Sequence, residues 1–574
     1  MALSRSSHDA PPLDSETAAI LARFDLSLDE PTRREYYRHG WWRTSTLADD
    51  FAEACRRSPD KTALATYRDD HSAPHRLTYG ELGLYVERIA GALVHLGIRR
   101  GDVVSAQLPN WWQFPAVALA TVRVGAIFNP VIPIHRQREV SFIADLVEPA
   151  VFFYPRVFRR FDHGAMFSDL AGSLPKLRHR VVVDDAAIGD ELSLADDILA
   201  QPWEDRERDE LARRRARSDA LSDIQFTSGT TGEPKGVGHT HNTLLCRARA
   251  LDEAVPLDES DVVFMPSTLA HSTGFVYGCM LPLSRGMTAV YQDVWAPQKA
   301  LDIISAERAT WMFGSSAFII DLVRAHRDRS VDISSLTRLI SGGAPIPSAL
   351  VDDVRRRLGG QAYAVWGMTE NGAVTVTRHN DGPDAASMSD GHPCQWMQLK
   401  IIDPVTRDPV ARGSEGLLLV RGASQMIGYV RRPKLTLTAV DNEGWFDTGD
   451  LARLQPDGSL RITGRVKDIV IRGGENIPST EVENALYSHP GIAEVAVVPV
   501  PDERLGERAC AVVVLESGYA LTLDDLREHL DRVGVPRTYW PERLEFRSQL
   551  PRTFSGKVQK FRLKEEVARV SRPE

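Results

Sequence analysis

Short apolar runs alternate with helical patterns along most of this chain, and this alternation limits its fold more than any other feature. Residues 103–108 form an apolar run of strand length, whereas residues 77–93 place apolar side chains at helical spacing. Strands and helices that alternate in this way pack as α/β layers around a largely parallel sheet. At 574 residues the chain is too long for one core, so several subdomains are expected.

The stretch 114–134 is the most apolar part of the chain. Arg123, Pro130 and Pro133 interrupt it, so it predicts a buried helix, a break at Gly125 and a strand, and not a membrane span. The stretch 204–217 carries both signs of charge and predicts a solvated linker helix with i,i+4 pairs.

The character of the sequence changes at Gly416. Short β-like runs at 417–420 and 460–463, separated by turn residues, predict a small antiparallel unit. The residues after 468 have the length of one small α+β domain. Its predicted elements are a strand at 469–471, a helix at 479–488, strands at 492–498 and 509–515, and a helix at 523–533. We therefore divide the chain into a large domain at 1–464, a joint at 465–468 and a small domain at 469–574.

The composition excludes several classes of protein. Hydrophobic residues make up 43% and charged residues 26%, which is ordinary for a globular protein and argues against disorder. The net charge of -9 argues against a nucleic-acid partner. Five dispersed cysteines lack metal-ligand spacing and predict reduced thiols in the cytoplasm. No apolar segment of signal-peptide type occurs in the first thirty residues.

Hydroxyls, glycines and one lysine are concentrated at 227–236. The residues concerned are Thr227, Ser228, Gly229, Thr230, Thr231, Gly232 and Lys235. Glycines let backbone N–H groups approach an anion, hydroxyls add donors and lysine adds a positive charge, so the loop predicts a phosphate site. It lacks the Gly-Lys-Ser/Thr ending of a Walker A loop, and a polar surface turn is the alternative for this segment alone.

Three later segments offer what a nucleotide site needs. Residues 341–345 are small, follow a predicted strand at 336–340 and allow a flat base to lie against backbone. Trp366 offers an aromatic face, Glu370 a carboxylate for Mg²⁺, and Asp450 a carboxylate for two ribose hydroxyls. Taken singly, each has a structural alternative as a turn, a core side chain or a cap.

These motifs, in this order, resemble those of the adenylate-forming enzymes over nearly the whole chain. That superfamily contains acyl- and aryl-CoA synthetases, non-ribosomal-peptide adenylation domains and beetle luciferases. The resemblance implies that the loop at 227–236 grips the β- and γ-phosphates of ATP. It also implies contacts with ATP or AMP for Gly342, Gly343, Ala344, Pro345, Trp366, Gly367, Met368, Asp450 and Arg465. Trp366 stands where the family usually has tyrosine.

The resemblance also implies catalytic and conformational roles. Thr369 would contact the α-phosphate, Glu370 would bind Mg²⁺, and Lys557 in the loop at 551–557 would be the catalytic lysine. Lys467 matches the family's hinge residue. Gly473, Gly474 and Glu475 match the loop that faces the CoA tunnel. The domain at 1–464 would then bind ATP and the acid, and the domain at 469–574 would be mobile.

The implied activity is ligation of a carboxylic acid to CoA through an acyl-adenylate, with ATP, Mg²⁺ and CoA required. The acid and CoA are the implied small-molecule partners. The alternative is a stand-alone enzyme that loads an acyl group onto a carrier protein; a homodimer also stays open. A luciferase-like monooxygenase has no supporting feature, and retention of Glu370 and Lys557 argues against a regulator without catalysis.

Residues 265–275 match the family's acid-pocket segment. The predicted pocket residues are His271, Ser272, Gly274 and Phe275. Amino-acid-activating members have an aspartate here that binds the ammonium group of the substrate, and this segment has none. The ammonium group of an amino acid would therefore be buried without a partner, which disfavours such a substrate. The sequence therefore predicts an apolar medium-chain, alicyclic or aromatic acid. His271 is left as a gate, a neighbour of the carboxylate or a structural residue. The sequences at 109–112 and 270–274 are similar to those of bacterial medium-chain and cyclohexanecarboxylate-CoA ligases. This similarity suggests a role in fatty-acid metabolism.

Overall fold

The computed structural model describes residues 10–227, 233–252, 254–344, 346–472, 475–502, 504–552 and 558–570. They form two compact units. The first contains the described residues up to Phe313 together with Gly367–Ala373 and Gly422–Asp441. The second contains Gly314–Trp366, Val374–Arg421 and the described residues from Asn442 onwards. Helices and sheets occur in both units, which confirms the predicted α/β class.

The first unit contains a sheet of eight strands. In spatial order they are Gly428–Tyr429, Lys235–Thr240, Leu221–Thr227, Ile127–Pro130, Val103–Ala106, Pro149–Tyr154, His179–Val182 and Leu192–Ser193. From Leu221–Thr227 to Leu192–Ser193 the neighbouring strands are parallel, as predicted. Lys235–Thr240 and Gly428–Tyr429 extend the sheet as an antiparallel edge.

A second run of strands in this unit is mainly parallel. Its order is Trp311–Gly314, Val262–Met265, Thr288–Gln292, Thr62–Tyr67 and His75–Thr78. Only the last pair is antiparallel within this run. A separate pair consists of Val157–Phe158 and Phe161–Asp162.

The first unit also contains the helices that connect these strands. The α-helices are Ser15–Arg23, Glu30–Arg38, Leu47–Arg57, Tyr79–His95, Gln113–Arg123, Gln137–Val147, His163–Ala171, Trp203–Arg206, Arg208–Arg213, His241–Arg249, Leu281–Arg285, Pro297–Glu307 and Pro433–Ala439. Leu194–Leu199 and Gly274–Met280 are π-helical. Thr78 begins the helix Tyr79–His95 with a capping box closed by Glu81, which satisfies two backbone N–H groups at its start.

The stretch 114–134 has the predicted order of elements. The helix Gln113–Arg123 is largely buried, Gly125 has a φ of +77°, and the strand Ile127–Pro130 follows. Among the residues that the structure describes, no helix is long and apolar enough to cross a membrane.

The stretch 204–217 differs from the single solvated helix that its charges predict. It forms the two short helices Trp203–Arg206 and Arg208–Arg213, and Leu211 is buried. Arg123 Nη1 donates hydrogen bonds to the carbonyl oxygens of Leu211 and Arg214. These bonds fix the end of the stretch against the helix Gln113–Arg123. Most of its other residues stay exposed or half-buried, and Glu210 and Arg214 form an i,i+4 ion pair as predicted, so only the division into two helices departs from the expectation.

The second unit begins with a strand run and a small antiparallel sheet. The run is His392–Pro393, Gly372–Val376, Gln361–Met368 and Arg338–Gly342, and the sheet is Met397–Ile402, Gly416–Gly422, Phe446–Leu454 and Leu460–Arg465. The second sheet confirms the antiparallel unit predicted after Gly416. The α-helices of this part are Ser316–Asp328, Ser348–Asp353 and Ala385–Met388; Val354–Leu358 is π-helical, and His379–Asp381 and Val466–Asp468 are 3₁₀-helical.

The last part of the second unit has its own sheet. Its strands are Glu475–Pro478, Ile469–Arg472, Gly506–Leu515 and Ile492–Asp502, and Arg543–Phe546 pairs with Gly506–Leu515. The helices are Ser479–Leu486, Leu523–Arg532 and Lys560–Val570, with a 3₁₀-helix at Arg537–Tyr539.

The five elements predicted for the tail are present. The strands Glu475–Pro478 and Arg543–Phe546, the helix Lys560–Val570 and the short 3₁₀-helix Arg537–Tyr539 were missed. Alternate residues of the strand Ile492–Asp502 supply two separate cores. Val497 packs in a cluster with Leu526, whereas Val498 packs in another with Leu563. The second core requires the missed helix, because it covers the opposite face of the sheet.

Candidate active site

The predicted phosphate loop joins two strands that pair directly. Thr227 ends the strand Leu221–Thr227, and Lys235 begins the strand Lys235–Thr240. The two residues are register partners in the antiparallel pair. Ser228, Gly229, Thr230, Thr231 and Gly232 lie outside the described residues.

The predicted residues Gly367, Met368, Thr369 and Glu370 lie at a tight turn of the chain. A Cβ atom on Gly367 would lie 1.9 Å from the carbonyl oxygen of Gly372, so no side chain fits at that position. Gly372 has a φ of +66°, a conformation that favours glycine. The two glycines therefore permit the close return of the chain that presents Thr369 and Glu370.

Two hydrogen bonds fix the backbone of this turn. His239 Nε2 lies 2.8 Å from the carbonyl oxygen of Thr369, and the Met426 N–H donates to the carbonyl oxygen of Glu370 at 2.6 Å. Burial lowers the pKa of His239 well below its usual value, so its ring is neutral. Nε2 then carries the proton and donates, while Nδ1 accepts from Thr243 Oγ1 at 3.1 Å.

The Glu370 side chain contacts a tyrosine that the sequence reasoning missed. Tyr429 is buried, and its hydroxyl donates to Glu370 Oε1 at 2.8 Å. Lys235 Nζ lies 5.0 Å from the centroid of the Tyr429 ring. Burial and the negative charge of Glu370 raise the pKa of Tyr429, so the hydroxyl remains a donor. No local pattern points to Tyr429, because it is 59 residues from Glu370 in the chain.

The carboxylate of Glu370 suits a magnesium ion that is held mainly by a nucleotide. Among the described residues, no cluster of three or more His, Cys, Asp or Glu side chains could hold a metal alone. Mg²⁺ commonly binds through one or two carboxylates, substrate phosphates and water. Glu370 is half-buried and accepts through Oε1 from Tyr429, which leaves acceptor capacity for such an ion.

The predicted acid segment begins at the end of the strand Val262–Met265. A Cβ atom on Gly274 would lie 2.1 Å from the carbonyl oxygen of Thr268, so this residue must be glycine. Phe275 is fully buried and stacks on Phe128 at a centroid distance of 5.6 Å. His271 is half-buried, and its Nδ1 accepts from the Thr273 N–H at 3.4 Å.

Asn110 holds this acid segment in place. Its Nδ2 donates to the carbonyl oxygens of Ser267 at 3.0 Å and Gln292 at 3.2 Å, and its Oδ1 accepts from the Leu269 N–H at 2.8 Å. Asn110 is buried, so these bonds satisfy its amide and define the path of the segment.

Arg247 is a buried cation next to the acid segment, and sequence reasoning missed it too. Its Nη2 donates to Ser272 Oγ at 2.6 Å, and its Nη1 lies 3.6 Å from Asp223 Oδ2. Both members of this ion pair are fully buried. Arg247 Nε and Nη1 have no hydrogen-bond partner among the described residues. Burial raises the pKa of Asp223, and the positive charge of Arg247 opposes that rise.

The predicted nucleoside residues lie in the second unit. Gly342 ends the strand Arg338–Gly342, Gly343 has a φ of +83° and Ala344 follows, while Pro345 lies outside the described residues. Trp366 is buried, and its Nε1 donates to Asp450 Oδ2 at 3.0 Å.

Asp450 also binds the predicted nucleoside residue Arg465. Arg465 Nε lies 2.6 Å from Asp450 Oδ1, and the two residues pair in the sheet. Asp450 is buried, whereas the Arg465 side chain is half exposed. The structure thus brings together Trp366, Asp450 and Arg465, three residues that the sequence predicts for one nucleoside.

The predicted hinge residue Lys467 lies in the 3₁₀-helix Val466–Asp468, between the strands Leu460–Arg465 and Ile469–Arg472. Glu475 begins the strand Glu475–Pro478. Gly473, Gly474 and Lys557 lie outside the described residues.

This fold, with its paired phosphate-loop strands and buried carboxylates, is that of an adenylate-forming enzyme. The chain belongs to the AMP-binding enzyme family, whose model matches residues 51–430; the model of the AMP-binding enzyme C-terminal domain matches residues 481–557.

Curated relatives span almost the whole chain. A medium-chain fatty-acid–CoA ligase of Escherichia coli is 34% identical over 556 residues, covering 95% of this chain and 94% of the relative. A salicylyl-CoA synthase/salicylate adenylyltransferase of a Streptomyces species is 32% identical over 539 residues, covering 93% and 95%.

Solved structures of adenylate-forming enzymes are similar to this chain over most of its length. ATP-bound MatB from Rhodopseudomonas palustris is 26% identical with a TM-score of 0.78, covering 92% of this chain and all of that one. The anthranilate CoA ligase AuaEII with anthranoyl-AMP, 23% identical, has a TM-score of 0.81, covering 92% and 98%, and supports the fold. The chain is an acid–thiol ligase of the AMP-forming acyl-CoA synthetase type, which acts through an acyl-adenylate and uses ATP, Mg²⁺ and CoA.

Proposed function

We propose that this ligase activates an apolar medium-chain, alicyclic or aromatic carboxylic acid. The observation that carries the proposal is the acid segment at 265–275, which contains no carboxylate and packs Phe275 against Phe128. A charged tail would lose hydration in such surroundings without gaining a partner. Relatives that act on medium-chain fatty acids and on salicylate support this class.

In the first half-reaction the substrate carboxylate oxygen attacks the α-phosphorus of ATP. The new O–P bond forms as the bond to the bridging oxygen breaks, and pyrophosphate leaves. Lys235 and Lys557 would balance the negative charge that gathers at the phosphates, and Thr369 would contact the α-phosphate. Bound at Glu370, Mg²⁺ would neutralise phosphate charge and orient the leaving group.

In the second half-reaction the CoA sulfur attacks the acyl carbonyl carbon, the thiol proton passes to solvent, and AMP leaves. We propose that the residues at 469–574 form a mobile domain that rotates about Lys467 between the two steps. Lys557 would serve the first step, and the loop with Gly473, Gly474 and Glu475 would face CoA in the second. The boundary at 465–468 is part of this proposal.

Asp450 and Arg465 would hold the ribose, and the residues 342–345 would line the adenine. Trp366 is proposed to act less as an exposed stacking platform than as the group that holds Asp450, because the Trp366 indole is buried and bonded to that carboxylate.

Free CoA, and not a carrier-bound thiol, is the proposed acceptor. The cytoplasm is the proposed location, because the five dispersed cysteines predict reduced thiols. Pyrophosphate release is measured with straight-chain acids of increasing length, cyclohexanecarboxylate and benzoate, each with and without CoA. Each methylene that the pocket buries should raise kcat/KM about fourfold, which corresponds to about 0.8 kcal/mol, until overpacking reverses the trend. Preference for acetate, an amino acid or a dicarboxylate would contradict the proposed pocket. Acyl-adenylate formation without transfer to CoA would indicate a carrier-protein acceptor, and gel filtration tests for a homodimer.

A further inference from the structure

Tyr429 lies between two groups of opposite charge that serve the same nucleotide in the proposed function. Its hydroxyl binds Glu370 Oε1 at 2.8 Å, and its ring lies 5.0 Å from Lys235 Nζ. Among the described residues, Lys235 has no carboxylate within 4.0 Å. Lys235 therefore forms no ion pair with Glu370 and lies instead against the face of the Tyr429 ring.

The backbone around Tyr429 holds the ring in this position. Tyr429 pairs with Val237 on the strand that Lys235 begins, so Lys235 lies diagonally across from Tyr429 in the sheet. The Tyr429 N–H donates to Thr436 Oγ1 at 2.9 Å, and Tyr429 is 3% exposed. The backbone bonds fix the position of the Tyr429 main chain, and the buried ring can turn away from Lys235 only by breaking the hydroxyl bond to Glu370.

We propose that Tyr429 is a positioning residue for MgATP: its hydroxyl orients the Glu370 carboxylate toward the metal, and its ring keeps Lys235 available to phosphate. The inference rests on the proposed role of Glu370 as the magnesium-binding carboxylate. A phenol that occupies Oε1 leaves Oε2 for the hydrated ion, which suits the strict geometry of Mg²⁺. A ring face attracts the ammonium group without neutralising it, so both charges remain for the nucleotide.

The test separates the hydroxyl from the ring. Tyr429→Phe removes the hydroxyl and keeps the aromatic ring next to Lys235, whereas Tyr429→Leu removes the hydroxyl and the ring. Binding of an ATP analogue with a methylene group between the α- and β-phosphorus atoms is measured by calorimetry at low and saturating Mg²⁺. The Mg²⁺ concentration for half-maximal pyrophosphate release is measured in parallel.

Tyr429→Phe should raise the half-saturating Mg²⁺ concentration about three- to tenfold and leave analogue affinity at saturating Mg²⁺ unchanged within about twofold. Tyr429→Leu should also weaken analogue affinity at saturating Mg²⁺. Should the leucine variant not fold, Tyr429→Met replaces it, since an unbranched side chain fills gaps more readily.

Tyr154→Phe is the matched control. Tyr154 is also buried, and its hydroxyl donates to Glu191 Oε1 at 2.8 Å, but neither residue belongs to the proposed site. This control should lose thermal stability with no change in Mg²⁺ dependence. The same behaviour in Tyr429→Phe would overturn the inference.

The variant Glu370→Gln distinguishes an error in the role of Tyr429 from an error in the proposed metal-binding role of Glu370. If Glu370→Gln shifts the Mg²⁺ dependence and Tyr429→Phe does not, Tyr429 has no positioning role and the metal assignment stands. If neither variant shifts it, the metal assignment itself is wrong, and the inference fails with it.

Discussion

The indole Nε1 of Trp366 donates a hydrogen bond of 3.0 Å to Oδ2 of Asp450, and Arg465 Nε lies 2.6 Å from the other carboxylate oxygen. A carboxylate proposed to bind ribose hydroxyls is thus oriented from both sides. Because Trp366 is buried, its contribution to nucleotide binding should pass through this bond.

Trp366→Phe should weaken ATP binding. Removing one hydrogen bond to a buried charged group costs about 1.5–3 kcal/mol, or about 10- to 100-fold in affinity. The KM for ATP and for 2′-deoxy-ATP is measured in both proteins. The increase in KM from ATP to 2′-deoxy-ATP should be smaller in Trp366→Phe than in the wild type, because Asp450 is no longer fixed. An equal increase in both proteins would show that Trp366 has no part in ribose recognition.

Arg247→Met should destabilise the first unit. The change leaves Asp223 buried without its cation, and breaking a buried ion pair from one side costs about 3–5 kcal/mol. Urea unfolding measures the loss. Adding Asp223→Asn should recover part of the stability, since the unpaired charge is then gone. A double variant no more stable than Arg247→Met would show that packing, and not charge, sets the cost.

Lys557→Ala should impair adenylate formation and largely spare thioester formation from a supplied acyl-adenylate. Only the first step gathers charge at the phosphates, and a lost electrostatic donor costs about 10²–10³ in rate. The two half-reactions are measured separately. Equal damage to both steps would contradict the role assigned to Lys557.

Lys467→Pro should slow thioester formation more than adenylation. Proline fixes φ near one value within the 3₁₀-helix Val466–Asp468, which should restrict rotation of the residues that follow. Single-turnover rates of both steps give the ratio, with Lys467→Ala as the control that keeps backbone freedom. Unchanged turnover in the proline variant would place the hinge elsewhere or mean that proline fits both conformations.

Stability should fall on acidification partly through His241. Burial lowers its pKa to about 4, whereas in the unfolded chain the value is about 6.5. The unfolded state therefore binds the extra proton first, so this contribution is intact above about pH 6.5 and is lost as pH falls toward 4, by about 1.4 kcal/mol per pH unit. Urea unfolding compares wild type with His241→Phe across this range. Parallel stability curves for the two proteins would show that His241 does not titrate on unfolding.

The sequence by itself determined the features that depend on neighbours in the chain. The break at Gly125, the antiparallel sheet after Gly416 and the turn at Gly343 follow from local backbone preferences and short-range patterning. The absence of a carboxylate at 265–275, which carries the acid proposal, is likewise visible in the sequence.

Only the tertiary structure decided which side chains meet at the site. The bonds from Arg247 to Ser272, Tyr429 to Glu370 and Trp366 to Asp450 join residues that are 25, 59 and 84 positions apart. Local propensity has no information on such pairs, because the packing of helices, strands and loops that are distant in the sequence sets them. In the sequence, Arg247 is one more polar residue of a helix. Its charge affects stability only because the structure buries it beside Asp223, where no water can stabilise either charge.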